Sequence, residues 1–350
     1  MMKNTTMKKA LCFDDVLLIP KRTFGGSRNK VDISTTICNC DMKIPIFSAN
    51  MSTVTGVGMS VAMYQHGGLG ILHRMCSIGE QIDMLCNIEG KIAFSGRLPV
   101  FVSIEGSKKG LERIQKINYL NPEGYCIDVA HADSPDIEDI VVEIVKEFPS
   151  IKLIIGNYCT SQGIDNLLNS VPHINFNNVA FKVGVGSGSC CTTRIVTGCG
   201  LPTLESIFRI RKDLTNNNLK LIADGGIKNS GDIVKALAAG ADAVMLGSLL
   251  AGTKESPGNV IKYNGGLYKI FRGSASFGQK FEVGKEGFVE GEETLVPYKS
   301  QMTTTLTQLI EGIKSGFSYC GALNLEELRE NSEFVEITNS GYKESTPHGT

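Results

Sequence analysis

The chain has almost no net charge and no long apolar run. Its 35 Lys and Arg residues against 36 Asp and Glu leave a formal net charge of −1. That balance excludes a surface dedicated to nucleic acid or anionic membranes, because both need an excess of positive charge. No stretch approaches the roughly 18 uninterrupted apolar residues of a spanning helix. The polar, basic start is not followed by the apolar segment of a secretory signal. We therefore expect a cytoplasmic protein with neither nucleic acid nor membrane as a partner.

The eleven cysteines lack the spacing of a disulfide scaffold or a zinc site. Cys12, Cys86, Cys126 and Cys159 are scattered through apolar segments, and no His pair lies near the adjacent cysteines at 190 and 191. Scattered thiols without a ligand pattern are typical of a protein in a reducing compartment. The sequence thus predicts free thiols and no zinc centre.

The sequence also lacks internal repeats, low-complexity tracts and any linker that would divide it. No Gly-x-Gly-x-x-Gly segment follows a strand and opens a helix, so a Rossmann domain is not indicated. A chain of 350 residues is long enough for one large α/β barrel, which needs about 250 residues plus insertions. We expect a single domain over residues 1–350.

Short apolar runs rich in β-branched residues recur along the chain, and helix-like stretches separate them. Two such stretches, 136–148 and 231–239, carry apolar residues at helical spacing. Near-continuous apolar strands alternating with helices are typical of a parallel sheet buried on both faces. Eight such units favour a closed (β/α)8 TIM barrel over an open doubly wound sheet. The predicted strands are residues 44–48, 69–73, 100–103, 125–129, 152–156, 179–183, 219–223 and 243–247.

Two regions fall outside this alternation. Residues 1–43 form a lead-in with possible short strands, and residues 252–300 are rich in glycine and charge with little helical pattern. A long loop without secondary structure inside a compact domain is usually a functional lid or a disordered insertion. We therefore predict a mobile flap after the eighth strand, over about residues 274–297. Helical spacing resumes at 306–315 and 325–331.

Residues 184–194 read GVGSGSCCTTR and are the most informative segment. Glycines let a backbone approach a ligand closely, and a cysteine at such a turn is a candidate nucleophile if its thiolate is favoured. Arg194 and unpaired backbone N–H groups would favour that thiolate. By itself the segment is equally compatible with a glycine-rich turn that carries a buried, inert cysteine.

The predicted strands end in small or polar residues, and ligands of such barrels bind at the carboxyl ends of the strands. The loops after the seventh and eighth strands often hold a phosphate on backbone N–H groups. Here they contain Asp224, Gly225 and Gly226, then Gly247 and Ser248. Asp224 would repel a phosphate but suits ribose hydroxyls. This pattern favours a nucleotide phosphate site over a plain turn that caps the next helix.

Residues 186–194 resemble the catalytic loop of the IMP dehydrogenase and GMP reductase family. Segments along nearly the whole chain resemble the same family in order and spacing: residues 13–16, 48–53, 127–131, 222–227 and 268–276. The family fold is a (β/α)8 barrel, in agreement with the strand pattern. Members are tetramers, so the resemblance implies a homotetramer. Residues 74–99, between the second and third strands, leave no room for the family's CBS module.

The resemblance implies a role for each matching position. Cys191 takes the place of the nucleophile that attacks the purine C2 to give a covalent thioimidate, and Thr193 that of the catalytic threonine. The positions that match contacts to the nucleoside monophosphate (GMP or IMP) are Ser48, Ser189, Asp224, Gly225, Gly226, Gly247, Ser248, Gly273 and Ser274. The positions that match the nicotinamide side are Asp128, Ala130, His131 and Asn157, with His131 equally compatible with a loop hydrogen bond. The carbonyls of Gly186, Gly188 and Cys191 match a loop for a monovalent cation such as K⁺.

Two chemistries in the family pass through this thioimidate. The dehydrogenase oxidises IMP with NAD and hydrolyses the intermediate with an Arg-Tyr pair on its flap, but residues 274–297 contain neither Arg nor Tyr. The reductase uses a threonine–glutamate pair to protonate the departing ammonia, and Glu290 lies where that glutamate is expected. The resemblance therefore implies an NADPH-dependent GMP reductase. The alternative is a compact IMP dehydrogenase whose base is Lys280 or Lys285. Residues 341–348 resemble the C-terminal segment of dehydrogenases more than that of reductases.

Two further classes of function remain open at this point. A catalytically silent protein that senses guanine nucleotides would not need the cysteine, threonine and glutamate positions at 191, 193 and 290, all of which are present. A flavin-dependent barrel oxidoreductase would show the absorption spectrum of FMN.

Phe271 stands where the family often has a tyrosine that contacts the phosphate.

Overall fold

A closed barrel of eight parallel strands forms the centre of the protein. The computed structural model describes residues 8–25, 27–172, 174–214, 218–273, 291–345 and 347. Three short strands come first, β1 (Val16–Leu18), β2 (Thr35–Ile37) and β3 (Cys40–Met42). The barrel strands are β4 (Ile46–Ser48), β5 (Leu69–Leu72), β6 (Leu98–Ile104), β7 (Pro122–Asp128), β8 (Leu153–Tyr158), β9 (Val179–Val183), β10 (Lys220–Asp224) and β11 (Ala243–Leu246). Each pairs with the next in parallel, and β11 pairs with β4 to close the ring. The predicted (β/α)8 TIM barrel is confirmed.

Helices surround the barrel and bury their apolar faces against it. They are α1 (Val57–Gln65), α2 (Ile78–Glu89), α3 (Lys108–Ile117), α4 (Pro135–Glu147), α5 (Ser161–Ser170), α6 (Thr193–Thr197), α7 (Thr203–Asp213), α8 (Ser230–Ala238), α9 (Met302–Tyr319), α10 (Leu325–Asn331) and α11 (Asn339–Glu344). In α4, Ile137, Ile140, Val141 and Ile144 are buried at the spacing of one helix face. The predicted helix at 136–148 is therefore present and shifted by one residue.

The eight predicted strands are all present, with ends that differ by up to three residues. The largest difference is β7, which begins at Pro122 rather than at residue 125. Strand interiors follow the apolar pattern, and their aromatic residues pack edge to face. Phe47 and Phe101, for example, have ring centroids 5.9 Å apart. No apolar pattern marks the ends of the strands, because the residue at which a strand ends depends on its pairing with the neighbouring strand.

The region 252–300 was expected to be a long loop, and the structure corrects this expectation. Its described part contains a three-stranded antiparallel sheet of β12 (Ile261–Tyr263), β13 (Gly266–Arg272) and β14 (Glu293–Pro297). β12 and β13 form a local hairpin, whereas the pairing of β13 with β14 joins distant segments, and no apolar run marks the sheet in the sequence. The predicted flap at 274–297 thus ends in a strand, and residues 274–290 lie outside the described residues.

The lead-in forms a hairpin and a strand that pairs near the C-terminus. The β2–β3 hairpin turns at Cys38 and Asn39, both with positive φ. The Cys38 thiol donates to the carbonyl of Leu153, the first residue of β8, at 3.4 Å. β1 pairs with the C-terminal strand β15 (Phe334–Glu336). The β2–β3 hairpin therefore lies against the amino end of β8.

Helix length and hydropathy give no candidate for a membrane span. Among the helices in the described ranges, none is both long and apolar enough to cross a bilayer.

Candidate active site

The carboxyl ends of the barrel strands surround a cavity of about 560 Å³, within the size range of small-molecule sites. Nearly all the site residues predicted from the sequence line it. On the side of the loop predicted to be catalytic and the two loops predicted to hold phosphate these are Gly186, Gly188, Ser189, Cys191, Thr193, Asp224, Gly225, Gly226, Gly247, Ser248 and Gly273. On the side assigned to the nicotinamide these are Asp128, Ala130 and Asn157. The structure thus brings residues from distant parts of the chain to one cavity.

Four predicted residues are not among those that line the cavity. Ser48 is fully buried and its hydroxyl accepts a hydrogen bond from Thr55 at 2.9 Å, which supports the loop after β4. His131 is exposed outside the cavity lining. Ser274 and Glu290 lie outside the described residues.

Close backbone contacts join the catalytic loop to the loop after β10. A Cβ atom at Gly184, where φ is +145°, would lie 1.9 Å from the carbonyl oxygen of Asp224. Only glycine permits both that φ and that approach. The Ser187 hydroxyl also donates to the Asp224 carbonyl at 3.0 Å. The loop that carries the candidate nucleophile is therefore fixed against the loop proposed to hold ribose and phosphate.

The candidate nucleophile and the candidate catalytic threonine are in direct contact. The thiol of Cys191 lies 3.1 Å from Oγ1 of Thr193, the first residue of α6. Arg194 was expected to favour the thiolate, and the structure corrects this role. Its guanidinium donates to the carbonyls of Val185 and Leu201, so it braces the loop instead of contacting sulfur.

The neighbouring Cys190 is buried, as expected for a packing residue. Burial, with a smaller contribution from Glu292, raises the pKa of the Cys190 thiol to about 11. Its carbonyl accepts a hydrogen bond from the N–H of Glu292 at 2.9 Å. Cys190 therefore stays protonated at neutral pH and serves the backbone structure of the loop.

A buried lysine that the sequence analysis missed occupies the floor of the cavity. Lys182 on β9 is 2% exposed and its ammonium lies 2.8 Å from Oδ2 of Asp224 and 3.5 Å from Oδ1 of Asp128. It also donates to Oδ1 of Asn157. Burial opposes the charge, but the two carboxylates outweigh it and raise the pKa of Lys182. One charged residue inside an otherwise apolar strand was the sequence signal for this role.

Lys182 joins the two sides of the cavity electrostatically. Asp224 lies on the side predicted to hold the nucleotide and Asp128 on the side predicted to hold the nicotinamide. Asp128 also lies 3.6 Å from Nε of Arg74 and is hydrogen-bonded to Asn50. Burial would raise the pKa of Asp128, but Lys182 and Arg74 hold it below its usual range. Asp128 is therefore an ionised acceptor, suited to ribose hydroxyls.

A bulge places Asn157 in this cluster. The register of β8 against β9 shifts between Gly156 and Tyr158, so Asn157 is the extra residue. Bulges near active sites re-aim a side chain, and here the amide donates to Oδ2 of Asp224 at 2.9 Å and to the Gly184 carbonyl at 2.5 Å. The amide thus orients both the ribose-side carboxylate and the start of the catalytic loop.

Of the carbonyls matched to a monovalent-cation loop, that of Gly188 takes part in a local turn. It accepts a hydrogen bond from the N–H of Cys191 at 2.9 Å. A carbonyl oxygen has two lone pairs, so this bond leaves it able to bind a cation.

Comparisons with known proteins point to one family. A model of the IMP dehydrogenase / GMP reductase domain matches residues 10–348. The chain is 42% identical to inosine-5'-monophosphate dehydrogenase of Aquifex aeolicus, with 98% of this chain and 96% of that protein covered. It is 34% identical to the protein of the same name from Borreliella burgdorferi, with 99% and 98% covered. A solved GMP reductase of Trypanosoma brucei, in complex with guanosine 5'-monophosphate, has a TM-score of 0.91 and 26% identity, with 99% of each chain covered.

Proposed function

Within the IMP dehydrogenase / GMP reductase family, to which the chain belongs, we propose that it is a GMP reductase. Members of the family are oxidoreductases that use a nicotinamide cofactor. The reaction consumes GMP and NADPH and yields IMP, ammonia and NADP. The observation that carries this proposal is the composition of residues 274–297, which contain no Arg and no Tyr. The hydrolytic step of a dehydrogenase needs a base there, and loss of a general base costs about 10²–10⁴ in rate.

The Cys191–Thr193 contact supports the first chemical step. The Cys191 thiolate adds to C2 of GMP, and the C2–N bond breaks as the amino group leaves with a proton. Oγ1 of Thr193 lies 3.1 Å from the sulfur, so its hydroxyl is placed to take part in the reaction at C2. Glu290 is the proposed source of the proton. Ammonia departs and a thioimidate remains on Cys191.

When NADPH is bound, it supplies the hydride that C2 of the thioimidate accepts. The C–S bond then breaks, the electron pair returns to Cys191 as thiolate, and IMP is released. The Lys182 ammonium contacts Asp128 and Asp224 on the two sides of the cavity, and it helps to lower the pKa of Asp128. The thioimidate must be shielded from water during this step, because hydrolysis would give the dehydrogenase product. A loop without an Arg-Tyr pair suits that requirement.

Nicotinamide absorbance tests the proposal directly. Purified protein with GMP and NADPH should lose the absorbance and release ammonia, whereas IMP with NAD should give no gain. Glu290→Gln should lower the first rate by about 10²–10⁴, as for other proton-transfer groups. Gain of absorbance with IMP and NAD, and none lost with GMP, would contradict the proposal.

The second candidate is a compact IMP dehydrogenase. The names of the curated relatives at 34% and 42% identity favour it. In that case Lys280 or Lys285 acts as the base. Lys280→Met or Lys285→Met should then abolish the formation of XMP, the product of IMP oxidation and hydrolysis. The same assay thus separates the two candidates.

The other expectations belong to this proposal as well. We propose a single domain without a CBS module, a homotetramer in the cytoplasm, and a K⁺ ion at the carbonyls of Gly186, Gly188 and Cys191. Sedimentation measures the assembly, and activity with and without K⁺ measures the need for the cation.

A further inference from the structure

A lysine beyond the cavity lining supports one of the two loops proposed to hold the phosphate. Lys299 follows β14 and is half-buried. Its ammonium donates to the carbonyl of Ser248 at 3.0 Å and to the carbonyl of Leu249 at 2.9 Å. Ser248 lines the cavity with Gly247. Lys299 therefore contacts the phosphate loop from its far side.

These two hydrogen bonds determine how the loop is oriented. The N–H groups of Leu250 and Ala251 both donate to the Gly247 carbonyl, at 3.0 and 2.9 Å, so the segment forms a tight turn. The carbonyl and N–H of a planar trans peptide point in opposite directions. By holding the Ser248 carbonyl, Lys299 holds the N–H of Leu249 on the opposite side of that peptide. Loss of the ammonium would leave two carbonyls of the turn without this donor.

The backbone around Lys299 is itself fixed. The N–H of Lys299 donates to the Gly252 carbonyl at 2.7 Å, and the N–H of Lys254 donates to the Ser300 carbonyl at 3.0 Å. Gly252 and Lys254 are thus hydrogen-bonded to Lys299 and Ser300. These bonds restrain the backbone from which the Lys299 ammonium extends.

The charge of Lys299 has no carboxylate partner among the described residues, where its ammonium makes no ion pair within 4 Å. Desolvation by burial accordingly lowers the pKa of Lys299. A phosphate on the other side of the turn would supply the missing negative charge, and such attraction is strong where water is excluded.

We propose that Lys299 is a positioning residue for the phosphate group of the nucleotide. It holds the turn at 247–249 in the conformation that binds phosphate and places a positive charge behind it. The inference rests on the proposed nucleotide site, but not on which of the two reactions runs there.

Equilibrium binding of GMP and of guanosine tests the inference, since the two ligands differ only in the phosphate. In Lys299→Met we expect GMP affinity to fall by about tenfold or more, as for loss of a charged partner. Guanosine affinity should stay within about twofold, and Lys299→Arg should recover most of the GMP affinity because it keeps charge and donors. A merely structural residue would weaken both ligands together.

Lys269→Met is the matched control. Lys269 lies on β13, is 3% exposed, and donates to the carbonyls of Thr253 and Ser256 at 2.9 and 2.6 Å. Its replacement loosens the same segment without touching Ser248, so the ratio of GMP to guanosine affinity should stay at the wild-type value.

The outcomes separate this inference from the proposed function. An unchanged affinity ratio in Lys299→Met, or an equal loss in Lys269→Met, overturns the role of Lys299. Failure of the wild-type protein to bind GMP and IMP at all overturns the proposed function instead. If Lys299→Met does not fold, Lys299→Gln gives the same readout with a neutral side chain.

Discussion

Cys191 and Gly291 form an isolated antiparallel bridge. Gly291 is the first described residue after 274–290, and Gly273 is the last before it. The N–H of Gly273 donates to the Glu292 carbonyl at 2.9 Å, and Glu292 in turn donates to Cys190. Gly291 and Glu292 are therefore attached to the loop that carries Cys191, and Gly273 is attached to Glu292. One bridge and two backbone hydrogen bonds thus connect the two ends of the segment 274–290 to each other and to the loop that carries Cys191.

Replacement of Cys191 should abolish turnover while its neighbour tolerates the same change. A serine oxygen is a far weaker nucleophile than a thiolate at neutral pH, so Cys191→Ser should lose at least about 10³ in rate, as active-site nucleophiles do. Cys190→Ser is the matched control, because this buried thiol makes no proposed contact with substrate. We expect it to keep activity within about tenfold. Mass spectrometry of protein quenched during turnover should find the adduct only where Cys191 is intact.

Removal of the Lys182 charge should destabilise the fold and separate the two carboxylates. Lys182→Met leaves Asp128 and Asp224 without their shared cation, and loss of one partner of a buried pair costs about 3–5 kcal/mol. Lys182→Arg should cost less because it keeps the charge. Urea unfolding measures both variants.

The stability difference caused by Lys182→Met should depend on pH. The pKa of Asp128 is lowered in the folded wild type, so its contribution to stability is full above the unfolded carboxylate pKa and is lost as pH falls through the lower folded-state pKa. In the variant Asp128 stays buried but lacks the ammonium of Lys182, so it gains a proton more readily and part of its penalty is removed. The difference between the two proteins should therefore shrink toward about pH 4, near the unperturbed pKa. A pH-independent difference would show that packing, not charge, accounts for the effect.

Mild acid should destabilise the protein through His73. This side chain is 9% exposed and its Nδ1 has no hydrogen-bond partner among the described residues. Burial lowers the pKa of His73 to about 4. The unfolded chain binds this proton near pH 6.5, so stability is lost as pH falls from about 6.5 toward 4. The loss at pH 5 should be about 2 kcal/mol.

His73→Gln provides the comparison for this pH effect. Glutamine does not titrate, so the slope of unfolding free energy between pH 7 and 5 should flatten even if the variant is less stable throughout. Equal slopes in the two proteins would assign the acid sensitivity to other groups.

Asp242 should be needed for stability but not for ligand binding. It lies before β11 at the amino-terminal end of the barrel, is 2% exposed, and contacts Arg211, Arg329 and Lys220 at 2.8, 3.1 and 3.3 Å. Asp242→Asn should cost about 3–5 kcal/mol because three cations lose their partner. GMP affinity at 25 °C should not change.

Asp213→Asn is the control for that variant. Asp213 is exposed and accepts one hydrogen bond, from the Ser161 hydroxyl at 3.1 Å. Such a surface change stays within about 0.5 kcal/mol. A loss of GMP affinity in Asp242→Asn, without a loss in the control, would contradict the separation between the two ends of the barrel.

The barrel and most of the cavity lining could be predicted because local patterns encode them. Apolar runs of β-branched residues predict buried parallel strands wherever they occur, and β9 matches its predicted bounds of 179–183. The carboxyl ends of parallel strands meet at one end of the barrel, so the segment at 184–194 and Asp224 had to converge. Ser48 and His131 do not line the cavity, since a position near a strand end does not decide which way a side chain points, and their binding roles stay predictions.

The sequence by itself determined the family, the barrel and the place of Cys191, because each depends on residues close together in the chain. The tertiary structure decided the partners of the charged groups. Lys182 meets Asp128 and Asp224 across 54 and 42 residues of sequence, and Lys299 meets Ser248 across 51. Closure of the barrel and the pairing of β13 with β14 create those contacts. No local pattern specifies them, because the free energy of an ion pair or a buried hydrogen bond depends on what the fold brings within 3 to 4 Å.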